Sequence, residues 1–149
     1  MKSDQPRPII VPPSSGRELK FLGITHKLTP QQTGSGYYLF EFEFDPESGN
    51  RVHVHQFEDE VVYVLEGAIE IRLDNQKQQA VLGGVAHLPK QIPHALYNPL
   101  KTTSRYLAMA IPGGMENFFD ELGAAQEAGI LDDANHRKIS LKYGIEWLE

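Results

Sequence analysis

What most constrains this chain is the punctuation of its middle. From Tyr37 to Ile111 the apolar and aromatic residues come in runs of four to eight, each bounded by Gly, Pro, Asn or Asp. Strands of that length are ordinary, and those four residue types supply the turns between them. The clearest run is Tyr37 to Phe44, where Tyr38, Phe40, Phe42 and Phe44 alternate with Tyr37, Leu39, Glu41 and Glu43. Successive side chains on a strand point to opposite faces, so one face here is wholly aromatic. The sequence Asp45-Pro46-Glu47-Ser48-Gly49-Asn50 then closes the run as a turn. Val61 to Leu65 and Ala68 to Leu73, separated by Glu66-Gly67, predict a β-hairpin. Further strands are expected at 78–82, 85–88, 94–97 and 104–111. Many short strands at this spacing point to an all-β sandwich or barrel.

Both ends differ from the middle. Residues 1–16 contain Pro6, Pro8, Pro12, Pro13, Ser14, Ser15 and Gly16, which resist helix and sheet interior alike. They read as an arm, in which Ile9, Ile10 and Val11 can form a short edge strand. A strand or two is expected between Glu18 and Thr29. After Pro112-Gly113-Gly114, the residues Met115, Phe118, Phe119 and Leu122 fall at i, i+3, i+4 and i+7, the stripe of an amphipathic helix. Phe118 and Phe119 are expected to attach that helix to the β body. A second helix over 134–143 would be capped by Asp132 or Asp133 and ended by Gly144. The organisation expected is an arm at 1–16, a β-barrel at 17–112 and a helical segment at 113–149, within the size of one domain.

Composition narrows the chemistry. Fourteen Lys and Arg against 20 Asp and Glu give a net charge of −6, which argues against a nucleic-acid partner. The chain has no cysteine, so disulfides, iron–sulfur clusters, thiolate zinc sites and a cysteine nucleophile are all excluded. Any transition metal must be held by nitrogen and oxygen. No apolar segment follows the N-terminal charges, and none approaches the ~18 residues of a membrane helix, so a soluble cytoplasmic protein with no membrane partner is expected.

Four of the six histidines, His53, His55, His87 and His94, lie inside the β region, while His26 and His136 lie outside it. On a strand, His53 and His55 project from one face. Glu60 follows at the start of the next strand, where its carboxylate can turn toward the same point. Two imidazoles and one carboxylate suit Fe(II), Mn, Ni, Co or Zn and leave coordination positions open. The same residues also suit a surface strand of polar side chains alternating with valines, with Glu58-Asp59-Glu60 as a solvated charge cluster. His87 reads as a surface or outer residue, and His26 and His136 receive no role.

A longer pattern adds to this reading. His53-Val54-His55, four residues, Glu60, six residues and Gly67 resembles the first motif of the cupin superfamily, and Gly83, Pro89, His94 and Asn98 fall at the intervals of the second. The resemblance covers residues from about 17 to 112, and the helical tail is similar to that of single-domain quercetin-dioxygenase-like cupins. It implies a double-stranded β-helix, or jelly-roll barrel, with a short C-terminal helical tail. It further implies one divalent transition-metal ion held by His53, His55, Glu60 and His94, with Gly67 and Gly83 structural. A glycine of the second motif is replaced by Gln91, so the turn before His94 is expected to be built differently, with Pro93 fixing it.

By that resemblance the function expected is a metal-dependent oxygenase of a small aromatic or enolic compound, with Glu60 also moving a proton. A non-catalytic cupin binding a metal or small ligand, and a cupin isomerase, use the same scaffold. Phe40, Phe42, Phe57, Leu96 and Met109 are the residues expected to line a substrate pocket at the metal. The Pro-rich arm, the open sheet edges and the habit of the family together suggest a homodimer.

Overall fold

The structure is a computed structural model and describes residues 7–148. Strand alternation decides its layers. The strand β3 (Tyr38–Phe44) buries Tyr38, Phe40 and Phe42 and turns Leu39, Glu41 and Glu43 away. Beside it, β10 (Ser104–Ile111) puts Tyr106, Ala108 and Ala110 on the inner face. Their antiparallel register sets Ala108 against Phe40 and Ala110 against Tyr38, so small side chains leave room for the rings. On the far side of β10, β5 (Asp59–Glu66) adds Val62 and Val64, and in the same inward row Glu60, opposite Ala110. With β1 (Arg17–Leu19), β2 (Ile24–Leu28) and β8 (Val85–Leu88), these strands form a six-stranded antiparallel sheet in the order β1-β2-β3-β10-β5-β8.

A second sheet of β7 (Gln76–Val81), β6 (Ala68–Leu73) and β9 (Ala95–Tyr97) supplies Ile69, Ile71 and Leu96 to the same core. The short β4 (His53–His55) pairs with β11 (Ile145–Trp147). The architecture is the double-stranded β-helix, with strands at 85–88 and 104–111 as expected from sequence. Among the described residues three α-helices complete it: α1 (Pro30–Thr33), α2 (Met115–Glu127) and α3 (Asp133–Lys142). The α2 stripe buries Met115, Phe118 and Leu122. Asp132 caps α3, its carboxylate accepting the Asn135 N–H at 2.8 Å, and Gly144 follows the helix at φ 71°. Among the described residues no helix is long and apolar enough to cross a membrane.

Four local expectations are overturned. The runs at 61–65 and 68–73 do not form a hairpin: β5 pairs with β10 and β8, while β6 pairs with β7 and β9. Val62 and Val64 reach the core from one sheet and Ile69 and Ile71 from the other, so the chain changes sheets at Gly67. There φ is 80°, and a Cβ would come 2.1 Å from the Ser104 hydroxyl, which donates to the buried Asn98. The true hairpin joins β6 to β7 across Asp74-Asn75. Secondly, Ile9, Ile10 and Val11 form no strand; Ile9 and Ile10 are exposed, and residues 1–6 of the arm lie outside the described ones. Thirdly, the C-terminal segment is not wholly helical, because it ends in β11. Fourthly, Gln91 does not force a different turn. It takes the left-handed conformation itself, at φ 65°, and its N–H donates to the His55 carbonyl at 2.7 Å.

Candidate metal centre

Backbone pairing brings the histidines together. His53 exchanges both main-chain hydrogen bonds with His94, N–H to O at 2.9 and 3.0 Å, although the two residues are far apart in sequence. On the other edge of β4, His53 lies opposite Trp147 and His55 opposite Ile145. His53 and His55 therefore share a face, His94 sits beside them, and one nitrogen from each of the three rings falls within 4.8 Å of the others. Glu60, in the inward row of β5, places an Oε 3.6 Å from His55 Nε2. All four residues are buried, none more than 6% exposed.

The ring orientations follow from what holds the other nitrogens. His53 Nδ1 donates to the Arg51 carbonyl at 2.7 Å and His94 Nδ1 to the Ile92 carbonyl at 3.2 Å. In that tautomer the Nε2 lone pairs of both rings face the cluster, and His94 Nε2 is buried without a hydrogen-bond partner. Converging unpaired imidazole nitrogens beside a carboxylate are costly unless something electron-poor joins them, and the donor set fits a divalent transition-metal ion. Burial, with the neighbouring His94 adding to it, pushes His53 down to about 4. His55 and His94 are lowered as well, chiefly by burial, so all three rings are neutral at pH 7. Burial, with Glu58 adding, raises the Glu60 carboxyl to about 7.

The centre opens onto a cavity of about 110 Å³ lined by His53, His55 and Glu60 together with apolar walls. Of the residues expected to line it, Phe40, Phe42 and Leu96 do. Phe57 and Met109 do not. Phe57 is 60% exposed and packs over Gly144, where an added Cβ would strike its ring. Met109 falls in the outward row of β10, level with Leu39 and Val61, so strand alternation turns it away from the core.

Sequence reasoning missed part of the wall. Met115, Phe118 and Phe119 of α2 both fasten the helix to the barrel and face the cavity. Trp147 and Ile145 reach it from β11, and the Trp147 ring lies 4.8 Å from that of His53. The indole N–H donates to the Ser140 hydroxyl at 2.8 Å, which fixes the ring. The α2 stripe was visible in the sequence, but nothing near Trp147 announces its neighbour some ninety residues earlier. The solvated reading of Glu58-Asp59-Glu60 holds for Asp59 alone, which accepts the Lys90 N–H at 2.9 Å, whereas Glu58 and Glu60 are buried. His87 is exposed opposite Val61, on the outer side of β5 and β8.

Residues 40–110 match the family described as the cupin domain. The chain is 26% identical over 107 residues to quercetin 2,3-dioxygenase of Bacillus subtilis, a match covering 70% of this chain and 32% of that enzyme, so it spans about a third of the relative's length. Among solved structures it resembles an uncharacterized protein with a double-stranded β-helix domain from Klebsiella pneumoniae (15% identity, TM-score 0.54, 60% of this chain and 76% of that one). It also resembles the polyketide cyclase RemF from Streptomyces resistomycificus (27% identity, TM-score 0.52, 60% of this chain and 65% of that one). Fold, paired motifs and family match agree on a cupin domain over residues 40–110.

Proposed function

We propose that the chain is a metal-dependent oxygenase of a small aromatic or enolic compound, with His53, His55, His94 and Glu60 holding one divalent transition-metal ion. The observation that carries this reading is the convergence of the three imidazoles and Glu60 at a cavity whose other walls are almost entirely aromatic and aliphatic. Among the described residues no Lys or Arg lines that cavity, which favours a ligand without a phosphate or free carboxylate over a sugar acid or sugar phosphate. Three neutral imidazoles and one carboxylate around a divalent ion leave a net charge of about +1, which favours an anionic oxygen such as an enolate. A redox-active ion bound there would polarise that oxygen and activate dioxygen.

The remaining work falls to the chain. Phe40, Phe42, Phe118, Phe119 and Trp147 sandwich a planar ligand and exclude water from it. Glu60 is the carboxylate in reach of a hydroxyl entering the cavity, and where its hold on the ion loosens it takes the enol proton as the enolate forms. The similarity to quercetin 2,3-dioxygenase supports the oxidative reading. The similarity to RemF supports a second one, non-oxidative chemistry on the same class of compound. Oxygen uptake separates them: metal-dependent oxygen consumption with flavonol-like or diketone compounds, abolished in His53→Ala, is expected for the oxygenase. Turnover without oxygen consumption favours the second reading, and turnover that survives His53→Ala contradicts both.

A further inference from the structure

His53 and His94 both rest their Nδ1 atoms on the carbonyl two residues before them. His55 does not repeat this arrangement: the corresponding carbonyl, that of His53, accepts the His94 N–H at 3.0 Å. Its Nδ1 is buried without a hydrogen-bond partner. The nearest acid on that side is Glu58, whose Oε2 lies 3.9 Å away, equally buried and equally unpartnered. Glu58 does not line the cavity, so it meets the site only through His55.

A single imidazole thus stands between two buried carboxylates, with Glu60 at Nε2 and Glu58 at Nδ1. The two compete for its one proton. If the proton sits on Nε2, facing Glu60, the lone pair points away from the cluster and His55 is not a ligand. If it sits on Nδ1, the lone pair joins those of His53 and His94. A metal ion can use His55 only in the second tautomer, and the Nδ1–H then needs an acceptor.

Resting on the metal-centre reading above, we propose that Glu58 is a positioning residue: its carboxylate accepts the Nδ1–H of His55 and so holds Nε2 toward the metal. A short rotation of the carboxylate closes the gap and satisfies two orphaned atoms at once. Glu58 thereby does for His55 what backbone carbonyls do for the other two rings.

Competition with a chromophoric chelator, using Co(II) as the probe, tests this on wild type, Glu58→Ala and Glu58→Gln. Loss of the acceptor in Glu58→Ala should lower Co(II) affinity by ~10- to 100-fold and alter the Co(II) d–d spectrum. The metal-free thermal midpoint should stay the same or rise, because a buried acid has been removed. Glu58→Gln, which keeps a carbonyl acceptor at the same reach, should recover most of the affinity and the wild-type spectrum. Wild-type affinity and spectrum in Glu58→Ala would overturn the proposal while leaving the metal centre standing. Loss of the metal-free fold in that variant, or no rescue by Gln, would assign Glu58 a purely structural role and also overturn it. Absence of Co(II) binding by wild type would remove the metal centre and this inference together.

Discussion

Two groups of buried histidines in this molecule look alike in exposure and differ in what surrounds their nitrogens. His26 is 3% exposed, as buried as the metal-centre rings, but its two nitrogens face a hydroxyl and a carboxylate on separate elements, not other imidazoles. Nδ1 meets the Tyr38 hydroxyl, and Nε2 lies 3.2 Å from Asp120, which Arg17 grips with two hydrogen bonds of 2.6 and 2.8 Å. That chain ties β1, β2 and β3 to α2. At the centre of His53, His55 and His94 the outer nitrogens are anchored or face an acid, and the inner ones converge on one another. Burial therefore does not mark a ligand; converging lone pairs without a donor do. Histidines of the first kind belong to the fold, and those of the second kind give up folding stability for binding.

The largest expected effect comes from stripping metal. With free metal at ~1,000 times its Kd, chelation should cost ~4 kcal/mol of unfolding free energy, visible as a drop in thermal midpoint. The same drop should appear in a His26→Ala protein. If chelation leaves the wild-type midpoint unmoved, the two groups do not differ in the way described.

Next in size is the price of the vacant carboxylate. In metal-free protein the folded-state Glu60 sits near 7, above the ordinary 4.5. Its proton stabilises the fold fully below the ordinary value, and that stabilisation is lost as pH rises through 7. Metal-free Glu60→Gln should therefore exceed metal-free wild type in stability at pH 8 by as much as ~3 kcal/mol, the gap narrowing toward pH 5. Denaturant midpoints at the two pH values check this, and a gap that widens on acidification would reverse the assignment.

His26→Ala should cost ~1–3 kcal/mol, because the buried Tyr38 hydroxyl loses its partner, with no change in metal stoichiometry. A fall in bound metal in that variant would blur the distinction between the two groups. Smallest is Trp147→Ala, which removes one ring from the cavity wall. It should weaken an aromatic ligand about tenfold, within the ~0.5–1.5 kcal/mol of an aromatic pair, while metal content holds. Ligand titration beside elemental analysis separates the two quantities.

The same contrast explains what could be read in the sequence. Regular alternation marked β3 because one buried face imposes a period of two, and the bounding turn residues marked β8 and β10; both signals are local. The helix cap at Asp132 and the turn at Gly144 were legible for the same reason. The change of sheet at Gly67 was not, since Glu66-Gly67 satisfies the local signature of a hairpin and only the opposite faces of Val62 and Ile69 exclude it. At the centre, His53, His55 and Glu60 stand close enough in sequence to suggest one another, but His94 needed the motif. Trp147 and the inward turn of Glu58 depend on pairings made only in three dimensions. Met109 was misplaced by one step of strand phase, the smallest error that sends a side chain to the other face.

The central claim is that four named side chains hold one metal ion, and its most direct test is the metal content of freshly purified protein by elemental mass spectrometry, with His94→Ala beside it. About one equivalent of a divalent transition metal in wild type, lost in the variant while the fold persists, is the expected result. No metal in wild type after incubation with iron, manganese, nickel, cobalt and zinc in turn, or equal metal in both proteins, would contradict it.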